Sequence, residues 1–345
     1  MRSIALTGIR QMKLTEVPAP QIKDSNDVLI RIQRLGICGS DLHYYRSGRI
    51  GNQVVKYPFT LGHEASGIVQ DTGIAVKSLK PGDRVAIDPA MPCWHCDQCM
   101  AGRHHTCKNL KFLGCPGQAE GALSEYIVMP ESSCFYIPDN LSLDQAVISE
   151  PLAIGLYAVK KIKPASNIKI GILGFGPIGM SVFLSSRYFK IKDIYVTDKV
   201  YERLNIADRA GVSWAGNPDK TDIVKDILNL EPLQLDYVFE CCGKQEAADQ
   251  AIDLLKPGGT LIIAGIPDFD RWSFSVNKMR RKEISIQNVR RQVDCTKMAL
   301  DLMADKKINV DPMITHHFKF GDTEKAFKMV NNYEDGVMKA IINFN

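Results

Sequence analysis

At 345 residues the chain is long enough for two domains, and its apolar and charged fractions, 45% and 24%, are those of an ordinary soluble globular protein. The net charge is +4, with Lys and Arg interspersed among Asp and Glu, so no basic block marks a nucleic-acid footprint. No run of about 18 apolar residues predicts a membrane-spanning helix, and the first ten residues lack the apolar run of a signal peptide, so a cytoplasmic location is expected.

Residues 3–6 and 28–35 read as strands, with Pro18 and Pro20 as breakers between them. The next stretch opens with Gly36-Ile37-Cys38-Gly39-Ser40-Asp41-Leu42-His43 and closes with Gly62-His63-Glu64, placing a thiol, an imidazole and carboxylates in one short span. Taken singly, a Cys or His is usually structural; the ordered set points to a metal. Thiolate and imidazole suit zinc, and a set with few protein ligands leaves a position open for substrate, as catalytic zinc requires. Residues 65–70 and 84–87 read as further strands around the turn Lys80-Pro81-Gly82-Asp83. The site is therefore expected on a small β-rich domain.

Cys93, Cys96, Cys99 and Cys107 follow at spacings of two, two and seven intervening residues, which lets one loop wrap four sulfurs around a zinc. Four thiolates fill the coordination sphere, so this metal should be structural. His95, His104 and His105 lie nearby but are not needed as ligands. Cys115, Cys134, Cys241, Cys242 and Cys295 read as buried free thiols. Residues 121–129 alternate like a strand, and a helical pattern from 143 leads to Glu150-Pro151, with an apolar helix expected over 152–162. Read alone, Glu150 suits the negative charge favoured at a helix start.

From residue 167 the texture changes. A buried strand over 168–173 runs into Gly174-Phe175-Gly176-Pro177-Ile178-Gly179, a helix over 180–188, and a second strand over 193–197 that ends at Asp198, nineteen residues after Gly179. This is the dinucleotide fingerprint in its structural context: the glycines allow pyrophosphate to approach the helix N-terminus, and Asp198 accepts hydrogen bonds from the adenosine ribose. A carboxylate there repels the extra phosphate of NADP, which favours NAD. Arg203, one helical turn on, is placed to touch the adenosine and to soften that discrimination. Strands over 235–239, 260–264 and 284–287, with a helix over 245–255, complete a parallel-sheet pattern. The tail, with helices over 298–304 and 323–331 and a strand over 339–342, is expected to return to the first domain. The expected boundaries are 1–150 and 295–345 for the zinc-binding domain and 151–294 for the nucleotide-binding domain.

Cys38, Gly62-His63-Glu64, the four-cysteine lobe, Glu150-Pro151 and the 174–179 loop together resemble the zinc-dependent medium-chain alcohol dehydrogenases, over nearly the whole chain. Within them, Ile37-Cys38-Gly39-Ser40-Asp41-Leu42-His43-Tyr44, Gly48-Arg49-Ile50-Gly51-Asn52 and Leu61-Gly62-His63-Glu64-Ala65-Ser66-Gly67 resemble the sorbitol (L-iditol) and related polyol dehydrogenases. The resemblance implies an α/β chain with a GroES-like catalytic domain, a structural zinc lobe and a Rossmann domain for NAD. It implies that Cys38, His63 and a glutamate, Glu64 or Glu150, hold a catalytic zinc, which acidifies an alcohol so that its carbon-bound hydride passes to the nicotinamide. Ser40 then takes the alcohol proton, His43 passes it on, and Asp41 orients His63.

Similarity further suggests Tyr45, Phe112, Glu150 and Arg291 around a sugar alcohol, and Ile178, Ala264, Gly265, Ile266, Val289, Arg290 and Arg291 along the cofactor. Arg290-Arg291-Gln292 stands where sorbitol dehydrogenases have Phe-Arg-Tyr, so a cyclic polyol, a sugar acid or an aminated polyol is compatible alongside linear ones. A homotetramer or homodimer is also implied. The competing expectations are an L-threonine or other amino-alcohol dehydrogenase and, in another class, a non-catalytic nucleotide-binding relative.

Overall fold

The alternating residues Val28, Ile30 and Ile32 are buried along the strand Asp27–Gly36, which is the hub of a seven-stranded sheet. One edge of this strand pairs antiparallel with Glu64–Thr72; the other is shared by Tyr126–Pro130 and Lys339–Asn343. Arg84–Ile87 and Cys134–Tyr136 extend the sheet on one side and Ile314–Lys319 on the other. Gly36 lies opposite Glu64 in the ladder. The chain leaving one strand towards Cys38 and the chain arriving through His63 are thereby brought together, although 24 residues separate them between positions 38 and 63.

The computed structural model describes residues 1–344. The sheet belongs to a unit formed by Met1–Glu150, Thr296–Lys306 and Met313–Asn345, and a second unit comprises Pro151–Cys295 and Lys307–Pro312. In the second unit six parallel strands run in the order Trp214–Gly216, Asp193–Thr197, Lys169–Leu173, Leu235–Glu240, Leu255–Ile263 and Ser285–Asn288. Strand order reverses at Lys169–Leu173, the switch point of a doubly wound sheet, outside whose C-terminal strand ends ligands bind. Leu173, Leu235, Val238 and Leu261 from the strands pack with Ile227, Ala251 and Leu254 from helices. Among the described residues no helix is long and apolar enough to cross a membrane.

The helix expected over 152–162 runs instead from Ser149 to Lys160, so Glu150 lies in its first turn. Pro151 does not prevent this, because a first-turn residue has no intrahelical partner for its missing N–H. Residues 121–129 form a strand only from Tyr126. The preceding Gly121, Ala122 and Leu123 instead donate their N–H groups to the carbonyls of Thr60, Gly62 and Leu61. Helices Tyr201–Arg209, Ile223–Leu230 and Val276–Lys282 add to those read from the sequence.

Candidate active site

Cys38 caps the helix Gly39–Ser47, so its sulfur sits at the positive end of the helix dipole. Asp41, fully buried in the first turn, joins the two arms of the site: one carboxylate oxygen accepts the Cys38 N–H at 3.1 Å, and the other accepts the Gly62 N–H at 3.2 Å and faces His63 Nδ1 at 3.3 Å. With Nδ1 turned to Asp41, Nε2 of His63 faces the interior of the site, 3.5 Å from Ser40 Oγ. The donor atoms of Cys38, His63 and Glu64 all lie within 4.8 Å of one another. Burial works against a charged imidazole here, but Asp41 and Cys38 outweigh it and push His63 well above the usual range. A pocket that draws in positive charge in this way is electrostatically suited to a cation.

Glu64 is 1% exposed and its Oε2 accepts a hydrogen bond from Lys339 Nζ at 2.5 Å, the lysine being 1% exposed as well. Burial opposes the ammonium, but Glu64 and Cys38 raise its pKa. Glu150, also buried, is not one of the three close donors. Burial, then the charge of Glu64, pushes its carboxyl up to about 7. The Phe112 ring packs 5.3 Å from that of His63. His43 is buried, and its Nδ1 accepts from the Arg46 guanidinium at 3.2 Å. Tyr45 lies in the hydrophobic core, its ring 5.4 Å from that of Phe327; the structure does not bring it among the metal-site residues described here.

The Sγ atoms of Cys93, Cys96, Cys99 and Cys107 form a second close set. Three of its edges are 3.5 Å (Cys93–Cys107), 3.6 Å (Cys96–Cys99) and 3.9 Å (Cys96–Cys107). Main-chain N–H groups point into the sulfurs, and those of His95 and Cys96 help bring the Cys93 thiol down to about 6. His95 is turned to the Cys93 carbonyl and His104 packs on Trp94, so neither joins the set.

In the second unit Gly176 caps the helix Pro177–Tyr188. A Cβ at Gly179 would lie 1.9 Å from the Gly174 carbonyl oxygen, so only glycine permits this crossing of loop and helix. Asp198, at the end of the neighbouring strand, accepts the Phe175 N–H at 2.7 Å and the Val200 N–H at 2.8 Å, and Arg203 lies 3.8 Å from it. Residues 264–266 and 289–291 follow directly on the ends of their strands, with Arg291 in the left-handed region at φ 54°.

Residues 24–139 match the alcohol dehydrogenase GroES-like domain family and residues 177–305 the zinc-binding dehydrogenase family. A probable D-xylulose reductase A of Aspergillus fumigatus is 34% identical over 334 residues, covering 95% of this chain and 93% of that protein. Sorbitol dehydrogenase of Bacillus subtilis is 31% identical over 343 residues, 99% of this chain and 97% of its own. The solved structure of L-idonate 5-dehydrogenase from Escherichia coli superposes with a TM-score of 0.90 at 26% identity, covering 99% of this chain and 98% of that one. The chain belongs to the zinc-binding alcohol dehydrogenase family.

The family is one of zinc-binding dehydrogenases, and solved neighbours at 28% and 27% identity hold NADP and NADH respectively; the residues here fit zinc and a nicotinamide dinucleotide. A tetrahedron of sulfurs with zinc–sulfur bonds of about 2.3 Å has edges of roughly 3.8 Å, which the cysteine lobe reproduces. Cys38, His63 and Glu64 supply a mixed sulfur, nitrogen and oxygen set with room for another ligand. The glycine cradle beneath the helix N-terminus matches a dinucleotide pyrophosphate. One residue that touches this site does not stand out in the sequence: Lys339, paired with Glu64. Its signal is a lysine opening an apolar run, Lys339-Ala340-Ile341-Ile342, which otherwise reads as an ordinary strand.

Proposed function

We propose that the dehydrogenase oxidises a secondary hydroxyl of a polyol or sugar-related alcohol to a ketone, with NAD as hydride acceptor. The observation that carries this reading is the three-donor set of Cys38, His63 and Glu64, the last two buried, open to a further ligand and flanked by the buried carboxyl of Glu150. The polyhydroxylated substrates named for the xylulose, sorbitol and idonate enzymes support the substrate class.

Held by these three residues, zinc supplies the Lewis acidity that eases ionisation of the alcohol, and NAD supplies the acceptor. Ser40 Oγ, beside His63 Nε2, takes the alcohol proton, and His43 passes it on. Arg46 keeps Nδ1 of His43 an acceptor, so the ring works through Nε2. Asp41 fixes the ring of His63 and the Cys38 loop together. Glu150 hydrogen-bonds substrate oxygen from its buried place beside Glu64. Phe112 and Arg291 contact the substrate, with Tyr45 supporting the helix that carries Ser40. Asp198 and Arg203 receive the adenosine, residues 174–179 the pyrophosphate, and 264–266 and 289–291 the nicotinamide half.

The four-cysteine lobe carries the structural zinc. Ten cysteines with no disulfide among them suit a reducing cytoplasm, and the enzyme works there as a homotetramer or homodimer. The test is NAD reduction across linear polyols, inositols, sugar acids and threonine, with the product identified. A ketose from one polyol supports the reading; turnover of threonine alone, or of none with both zinc ions present, overturns it.

A further inference from the structure

Lys339 is the residue of the dehydrogenase whose position calls for a reason. It opens the strand Lys339–Asn343, whose next three residues, Ala340, Ile341 and Ile342, are fully buried and apolar. An ammonium persists in such a place only when paired and fully hydrogen-bonded. Its Nζ donates to Glu64 Oε2 at 2.5 Å and to the carbonyl of Ile37, the residue before Cys38, at 3.0 Å. The register of the sheet makes this reach possible, because Ile341 pairs with Gly36 and Gly36 pairs with Glu64. A Cβ at Gly36 would lie 2.5 Å from Glu64 Oε2, so the glycine leaves space for the carboxylate to turn towards the lysine. One oxygen of Glu64 is thus committed to Lys339 and one remains for a metal.

We propose that Lys339 is a positioning residue of the catalytic metal centre. It clamps the Glu64 carboxylate and the Cys38 loop into one preorganised face and makes Glu64 a one-oxygen ligand. The clamp reaches the site from the last strand of the chain, about 300 residues after Cys38. This inference rests on the assignment of Cys38, His63 and Glu64 as ligands.

The experiment titrates zinc-loaded protein with a graded chelator and measures zinc retained per chain, with the four-cysteine zinc as internal reference. Variants are Lys339→Met, Glu64→Gln, the double variant and Cys38→Ser; melting curves and NAD binding report folding. Partners of metal ligands typically contribute about 10–100-fold in metal affinity. Lys339→Met should weaken retention of one zinc by that factor and leave the other unchanged, and the loss should vanish in the Glu64→Gln background. Unchanged retention in Lys339→Met, or the same loss with Glu64 already replaced, overturns the clamp. If Cys38→Ser keeps both zinc ions, it is the underlying ligand assignment that fails. Should Lys339→Met not fold, Lys339→Ala, which likewise removes both donors, replaces it under the same criteria.

Discussion

The two units of this dehydrogenase bury acids by opposite devices. In the first, Asp41, Glu64 and Glu150 are set among other charges: His63, Lys339 and the Cys38 sulfur. In the second, Asp198 and Glu240 are held chiefly by main-chain N–H groups: Phe175 and Val200 for the aspartate, and Cys242, Gly243 and Lys244 for the glutamate. Charge set against charge leaves an electrostatic balance that a divalent cation completes. Carboxylates braced by backbone shape a loop and present a fixed acceptor to a neutral ribose. The difference assigns metal chemistry to one unit and nucleotide recognition to the other on physical grounds.

The most severe way to break this division is Cys38→Ser. It should lower hydride transfer about a thousandfold or more, the several kcal/mol that a Lewis acid contributes, with dinucleotide affinity unchanged. Steady-state NADH formation and NAD binding by calorimetry check it; loss of NAD binding together with activity would show the two functions are not separable. Next in size, Asp41→Asn should weaken retention of one zinc about 10–100-fold, because the amide no longer balances His63 and can no longer accept at both oxygens. Metal analysis after chelator dialysis measures this, and an unchanged affinity would remove Asp41 from the metal centre.

Much of this contrast was readable in the chain, and the unread part has a physical cause. The cysteine lobe and the 174–179 loop are contiguous, so spacing alone exposes them. Cys38, His63 and Glu64, which the pairing of Gly36 with Glu64 brings together, are recognisable as a set because they fall in one short span of sequence. Lys339 is not, because its meaning depends on a sheet register linking it to residues about 300 positions earlier. The helix Gly39–Ser47 escaped notice because nine residues are too few for a clear apolar stripe, and Val276–Lys282 because none of its residues is buried. The start of the helix at Ser149 was obscured by Pro151, which sits where a helix tolerates it.

A smaller effect sharpens the nucleotide side. Asp198→Asn removes the charge while keeping an acceptor for the Phe175 or Val200 N–H, and it takes away the anion 3.8 Å from Arg203, leaving a net cationic setting for a ribose phosphate. Two charges a few ångströms apart near a protein surface interact by about 1–4 kcal/mol, so the ratio of NADP to NAD use should rise about tenfold or more. Initial rates with each cofactor measure it; an unchanged ratio would mean that Asp198 does not set cofactor choice.

The smallest effect tests whether backbone bracing leaves a buried acid neutral. Glu240 is fully buried. Its Oε1 accepts from three main-chain N–H groups and the Cys242 thiol, while Oε2 makes no protein hydrogen bond. Burial raises its pKa above the ordinary 4.5, with those donors pulling back only in part. The folded state therefore holds a proton that the unfolded state has released over the interval above 4.5, so folding stability falls as pH rises through that interval and levels off beyond the folded value. Glu240→Gln keeps the acceptor and cannot ionise, so the variant should gain on the parent as pH rises above 4.5. Urea unfolding of both proteins from acid to neutral pH measures the difference. A gap that stays constant would show that Glu240 is ionised in the folded state and that its N–H donors offset burial in full.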